Sequence, residues 1–301
     1  MIKRTLYFGN PATLRLKDKQ VQVEIRVEDE LKNTLIPVED IGIVVIDNSQ
    51  IIITSGLIQA LQENNVALIT CDYRHMPQSL LLPIEGNSVQ QERYDAQLAA
   101  SEPLKKQLWQ QTVTQKIKNQ AGILNKLSLN SNYLIPLHKN VKSGDTDNCE
   151  ATAAVYYWQT IFKHINGFRR LTEPESIPPN NFLNYGYAIL RGTMARSIVC
   201  AGLLPTLGIF HRNRYNAFCL ADDLMEPYRP YVDELVHGMY NAFGPVFDMQ
   251  KEHKAILLKI PTIDVLIDGE KSPLMIATQR TAVSLVKCFE GGQRKLLYPE
   301  I

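Results

Sequence analysis

The residues best equipped for chemistry gather in three short segments of the second half of the chain. The first centres on Glu150, in Asp145-Thr146-Asp147-Asn148-Cys149-Glu150, and the second on His211, in Gly208-Ile209-Phe210-His211-Arg212-Asn213-Arg214. The third is the acidic group Asp222, Asp223 and Glu226, within Leu220-Ala221-Asp222-Asp223-Leu224-Met225-Glu226-Pro227-Tyr228-Arg229-Pro230. Asp223 and Glu226 are three apart, so on a helix their carboxylates share a face, about 5–6 Å apart at Cβ. Two like charges that close repel unless a cation or a proton lies between them. Leu220, Leu224 and Met225 give the segment an apolar face that draws it against a core. A His and a second Glu brought to this cluster form a mixed nitrogen and oxygen donor set. Such a set suits Mg2+ or Mn2+ better than a structural zinc ion.

Each segment also has a plainer reading. Asp147-x-x-Glu150 is close to a capping box, in which Glu150 satisfies backbone donors at a helix start. His211 reads equally as a loop or core histidine, and the three acids as partners of a helix dipole. Spacing alone leaves both readings open.

The basic residues divide in the same way. Lys105, Lys106, Lys116 and Lys118 lie on one long expected helix, where a solvated face explains them as well as phosphate contact does. Lys139, Lys142, Arg169, Arg170, Arg191, Arg212, Arg214 and Arg229 fall near the three segments, and Arg212 and Arg214 stand just after His211. Guanidinium forks in that position can grip phosphate oxygens bidentately. The formal net charge is only +1, so any contact with nucleic acid must come from such local clusters.

Other chemistries are excluded more simply. The five cysteines (Cys71, Cys149, Cys200, Cys219 and Cys288) are odd in number and contain no C-x-x-C pair, against a disulfide framework or a zinc knuckle. No Gly-rich loop of Walker or dinucleotide type is present. The longest apolar runs, such as Ile43–Ile46 and Ala255–Leu258, fall far short of the ~20 residues that cross a bilayer. The opening MIKRTLYFGN lacks a signal-peptide apolar stretch, so no membrane association and a cytoplasmic location are expected.

The elements that must position these residues fall into two groups. Strands are expected at Arg4–Phe8, Thr13–Leu16, Val21–Ile25 (after an Asp18-Lys19 turn), Thr34–Pro37, Gly42–Asp47 and Val66–Cys71. Ser55 is read as the N-cap of a short helix through Gln62. Leu82–Ser88 reads as a linker, with Ser88 capping the next helix. Helices are expected over 89–100, 103–127, 147–163, 181–202, 217–226, 230–242 and 273–289. Lys254–Lys259 continues a helical stretch, and Ile263–Ile267 with Asp268-Gly269 suits a small hairpin. The fold class is therefore α+β by segregated domains: a small β-rich N-terminal domain over 1–83, followed by a larger all-α domain over 84–301.

Read in order, several segments resemble one known family. Asn184-Tyr185-Gly186-Tyr187-Ala188-Ile189-Leu190-Arg191, Gly208–His211 and Asp223-Leu224-Met225-Glu226-Pro227-Tyr228-Arg229-Pro230 are similar to the CRISPR-associated spacer-acquisition integrase, the endonuclease known as protein one of the CRISPR adaptation machinery. Arg4–Phe8 and Cys71-Asp72-Tyr73-Arg74-His75-Met76-Pro77 fit its N-terminal domain, so the resemblance runs along essentially the whole chain. The wording around Glu226 most resembles the type II lineage. The resemblance implies a metal triad of Glu150, His211 and Glu226, with Asp223 as a neighbouring catalytic acid and Arg191, Arg212, Arg214 and Arg229 as DNA-binding residues. It implies Mg2+ or Mn2+ as cofactor. The implied reaction is transesterification, in which a captured DNA fragment's 3′-hydroxyl attacks a phosphodiester at the edge of a CRISPR repeat. It further implies a homodimer through the β-rich domain, and a heterohexamer with a small partner, protein two of the same machinery. A branched-DNA nuclease that does not integrate, or a non-catalytic DNA-binding scaffold, are the alternatives.

Overall fold

Short alternating or wholly apolar runs, broken by turn residues, build the N-terminal unit of this computed structural model, which describes residues 3–27, 30–173 and 177–301. The chain divides into two compact units, Met1–Ser88 and Val89–Ile301. In the first, the strands are β1 (Arg4–Phe8), β2 (Thr13–Lys17), β3 (Gln20–Val27), β4 (Glu30–Pro37), β5 (Ile41–Ile46) and β6 (Ile52–Ile53). Helix α1 (Ser55–Glu63) and strands β7 (Ala67–Cys71) and β8 (Pro77–Leu81) complete it. One sheet has the order β1-β5-β7-β8 and a second the order β4-β3-β2-β6. The apolar run of β5 lies between parallel neighbours β1 and β7, as a strand buried on both faces should. Asp18 and Lys19 both take positive φ, and this turns β2 into its antiparallel partner β3 with Leu14 opposite Val23. Leu14, Val21, Ile41, Val44, Leu57, Leu61 and Leu68 form the core.

Two capping expectations need correction. Thr54, not Ser55, takes the extended N-cap position of α1, and its hydroxyl makes no cap bond. Val89, not Ser88, precedes the helix after the linker region. Strand β8 escaped the sequence reading because its Gln78-Ser79 interior is polar and it opens on a proline, both marks of an edge strand.

The second unit is mostly helical. Its helices are α2 (Gln90–Ala99), α3 (Glu102–Lys126), α4 (Leu134–Asn140), α5 (Cys149–Ile161), α6 (Asn180–Cys200), α7 (Cys219–Met225), α8 (Arg229–Phe243), α9 (Lys251–Leu257) and α10 (Leu274–Phe289). The long α3 starts cleanly because the Ser101 hydroxyl accepts from the Leu104 amide and Pro103 needs no donor in the first turn. The unit is not helical throughout. Strands β9 (Asp264–Ile267) and β10 (Glu270–Pro273) form the expected hairpin, and β11 (Pro299–Glu300) pairs with β9. Helix α4 was missed because it is only two turns long and contains Pro136. Where one helix was expected over 217–226, α7 stops at Met225 and a single 3-10 turn, Glu226–Tyr228, carries the chain into α8. Pro227 supplies no amide to continue the α-helical ladder.

Helix α6 is buried along nearly its whole length and forms the centre of this unit. A β-carbon on Gly186 would stand 2.6 Å from the Val232 side chain, so only glycine lets α6 approach α8 this closely. Among the described residues no helix is long and apolar enough to cross a membrane.

Candidate metal centre

Four elements of the second unit deliver the site. Helix α3 passes beneath it and packs against α5, α7, α8 and the Glu226–Tyr228 turn. Asn119 of α3 is fully buried and donates to the carbonyls of Pro227 (2.8 Å) and Pro299 (2.9 Å), which pins that turn to the helix. The start of α5 is fixed by Asp145, whose two carboxylate oxygens accept from the Cys149 and Glu150 amides at 2.9 and 3.0 Å. The capping-box reading of Asp147 and Glu150 is therefore not realised. Asp145 holds the amides, and the Glu150 side chain is left for other work.

That side chain reaches Lys116 of α3. The Lys116 ammonium lies 2.6 Å from Glu150 Oε1 and 2.5 Å from Glu226 Oε2, so two carboxylates from distant segments meet on one cation. Neither role given to Lys116 by its sequence context holds, because its side chain is only 11% exposed and its charge is spent on the carboxylates. Glu226 is buried as well, and its other oxygen accepts from Arg229 Nε at 2.8 Å. Burial alone would raise the Glu226 pKa, but the Arg229 and Lys116 cations more than offset it and bring it down to about 2. Burial likewise opposes the Lys116 ammonium, yet Glu226 and Glu150 hold its pKa above the ordinary lysine value.

His211 comes from the loop before α7. Its Nδ1–H donates to Asp223 Oδ1 at 2.5 Å, since a carboxylate can only accept. Asp223 is fully buried and also accepts from the backbone amides of Phe210 (2.9 Å) and His211 (3.3 Å). One carboxylate thus fixes both the loop and the imidazole tautomer, leaving Nε2 with its lone pair. The Asp223 bond is the main cause of a raised His211 pKa, with the charges of Glu150 and Glu226 adding to it. Burial pushes the Asp223 carboxyl up from its usual range. Gly208 is required where it stands, because a β-carbon there would lie 2.5 Å from the His211 carbonyl and 2.7 Å from Asp223 Oδ2. Trp109 stacks flat on Phe210, with ring centroids 4.4 Å apart, and both meet the His211 ring edge-on.

The expected basic residues part company. Arg212 is exposed and pairs with Glu102, and Arg214 lies over the Tyr215 ring at 4.6 Å. With His211 and Lys105 they line a cavity of about 460 Å3. Arg191 is held bidentately by Asp222. Arg229 is largely enclosed, bonded to Glu226 and stacked 4.5 Å over Tyr187, so it serves the site's carboxylate rather than an incoming phosphate. Behind it, Tyr157 and Tyr187 both donate to the buried Asp233, whose pKa burial raises to about 7.

The sequence reading missed Asp145, Asn119 and Trp109. A signal for α3 existed, since Trp109, Val113, Lys116 and Gln120 recur at helical spacing on one stripe and only Lys116 is charged.

The comparisons with known proteins give the family of the chain. The family described as CRISPR associated protein Cas1 matches residues 6–264. This chain belongs to the Cas1 family. It is 35% identical to the CRISPR-associated endonuclease Cas1 of Neisseria meningitidis serogroup C (strain 8013), over 100% of this chain and 97% of that protein. Among solved structures, a casposase bound to its integration product shares the fold with a TM-score of 0.77 at 19% identity, covering 98% of this chain and 92% of that one. A Cas6-RT-Cas1–Cas2 complex gives a TM-score of 0.74 at 17% identity, covering 97% of this chain and 35% of the much longer chain it matches. The α+β layout read from the sequence is thus that of the Cas1 fold.

Proposed function

We propose that this Cas1-family protein is a divalent-metal-dependent DNA endonuclease and integrase that joins captured DNA fragments into a CRISPR array. The observation that carries this reading is the convergence of Glu150 and Glu226 on one cation, Lys116, with His211 held in a fixed tautomer within the field of both carboxylates.

The donor set fits Mg2+ or Mn2+. It offers two carboxylates and an imidazole whose far nitrogen is bonded to a carboxylate, the arrangement that fixes metal-ligating histidines. Among the described residues no three His, Cys, Asp or Glu side chains already stand together at metal-holding positions, and the Lys116 ammonium lies at ion-pair distance from both Glu150 and Glu226. Glu150, Glu226 and His211 Nε2 would hold the ion. When bound, it supplies Lewis-acid stabilisation of charge on the phosphoryl oxygens and eases deprotonation of the attacking hydroxyl.

The chain's own residues do the rest. Asp223 keeps the proton on His211 Nδ1, which leaves the Nε2 lone pair available to the ion. Arg229 holds Glu226 ionised and oriented. Exposed Arg212 and Arg214 border the adjoining cavity and would grip the phosphates of a DNA strand. In the reaction, a 3′-hydroxyl oxygen bonds to phosphorus as a strand P–O bond breaks, so the number of phosphodiesters is unchanged.

Inserting both ends of a fragment needs two such sites at a fixed separation. We therefore assign a homodimer and a heterohexamer with the small second adaptation protein, a pairing in keeping with the Cas1–Cas2 composition of one structural neighbour.

The test is a joining assay with a labelled fragment and a repeat-containing plasmid, the second adaptation protein and Mg2+ or Mn2+. Covalent joining lost in Glu150→Gln is the expected result. Strand breaks without joining would leave only a nuclease, and equal activity in Glu150→Gln would overturn the reading.

A further inference from the structure

The proposed function gives no task to the enclosed ammonium of Lys116. Lys116 sits on the buried stripe of α3, and its ammonium reaches both Glu150 and Glu226 at ion-pair distance in a place almost closed to solvent. Two carboxylates brought together with so little water repel strongly unless a cation stands between them. The third acid, Asp223, is committed to His211, and Arg229 reaches only the far oxygen of Glu226. The fold thus provides its own cation at the point where the ligands converge.

We propose that Lys116 is a built-in counter-cation of this centre, and that a divalent ion enters by displacing its ammonium from between Glu150 and Glu226. The inference rests on the metal-centre reading above and adds to it the residue that sets the affinity for metal. The side chain is suited to this. Its charge is a compact ammonium on a flexible four-carbon stem, which can swing away while α3 stays in place, and an amine is not a ligand while protonated. Asn119 and Asp145 hold the turn and the α5 start independently of Lys116, so the carboxylates keep their positions when the ammonium leaves. A centre built this way stays charge-balanced before metal arrives and binds metal less tightly than its bare ligands would.

The test is Mn2+ titration of the full-length protein by calorimetry at pH 8, comparing wild type with Lys116→Met, which keeps the stem and removes the charge. The dissociation constant for Mn2+ is expected to fall by about tenfold or more, because the ion no longer competes with a resident charge. Melting curves give a second readout. The variant is expected to melt lower than wild type without metal and to gain more from added Mn2+. A lysine that only packs would lower the melting point and leave the metal-induced gain unchanged. Lys116→Arg, which keeps the charge, is expected to bind Mn2+ no more tightly than wild type, and Lys116→Gln replaces Lys116→Met if the latter does not fold. Equal or weaker Mn2+ binding in the neutral variants overturns the proposal while leaving the metal centre standing. Wild-type Mn2+ binding that survives Glu150→Gln with Glu226→Gln overturns both.

Discussion

Replacing Asp223 by Asn changes one atom and tests how the histidine is held. Asp223 Oδ1 accepts from His211 Nδ1 and the His211 amide, while Oδ2 accepts from the Phe210 amide. An amide side chain has a single acceptor oxygen, so the asparagine in Asp223→Asn must fail one side. With its oxygen toward His211, its NH2 faces the Phe210 N–H, two donors meet, and a buried hydrogen bond is lost at a cost of about 1–3 kcal/mol. With its oxygen toward Phe210, the NH2 faces Nδ1. The imidazole must then carry its proton on Nε2, which removes the lone pair from the site. Loss of such a carboxylate partner typically costs roughly 10–100-fold in metal affinity or activity. The assay is Mn2+ titration of wild type and Asp223→Asn, with strand joining measured in parallel. The pH profile supplies a further check. Asp223 raises the His211 pKa, so metal binding should weaken as pH falls through that raised value. In Asp223→Asn the acid limb should move to lower pH. Wild-type affinity and an unmoved acid limb in the variant would refute the argument that Asp223 sets the tautomer.

Further outcomes are expected from the same geometry. Gly208→Ala forces a β-carbon against the His211 carbonyl and Asp223. It should cost about 1–3 kcal/mol in urea unfolding and about 100-fold in strand joining through a displaced imidazole. Glu150→Gln and Glu226→Gln should each lower joining by several orders of magnitude in a gel assay, with Glu226→Gln also losing stability because Arg229 and Lys116 remain buried beside a neutral group. Asp233 titrates near 7 in the fold against an ordinary 3.8, so the folded protein holds its proton more tightly than the unfolded chain. The stability it contributes is complete below about pH 4 and lost as pH rises to about 7, on the order of 4 kcal/mol at most. Asp233→Asn should flatten that slope in urea melts, and an unchanged slope would assign it elsewhere.

How much of this could be read beforehand depends on whether the signal is local. The β2–β3 hairpin was legible because Asp18-Lys19 dictates its own turn, and the β9–β10 hairpin because Asp268-Gly269 does the same. The long helices announced themselves by period. The site did not, because Glu150, His211 and Glu226 arrive on separate elements and their meeting is a property of tertiary packing. Spacing left each of them open to a capping or core role, and the family resemblance alone joined them. Lys116 shows the same limit from the other side. Among its neighbouring lysines it reads as a solvated face or a phosphate contact. Its place on the Trp109–Gln120 stripe hints at an inward side chain, but only the packing of α3 against α5 and the Glu226 turn gives it its partners. The capping reading of Glu150 gives way for a local reason: Asp145, in a left-handed conformation, itself accepts from the Cys149 and Glu150 amides at the helix start.

Diffraction from crystals grown with Mn2+, recorded at a wavelength where manganese scatters anomalously, tests the central claim most directly. The expected peak lies within about 2.5 Å of Glu150 and Glu226 oxygens and of His211 Nε2, with the Lys116 ammonium moved aside. A crystal that holds manganese elsewhere, with Lys116 still seated between the two carboxylates, would contradict it.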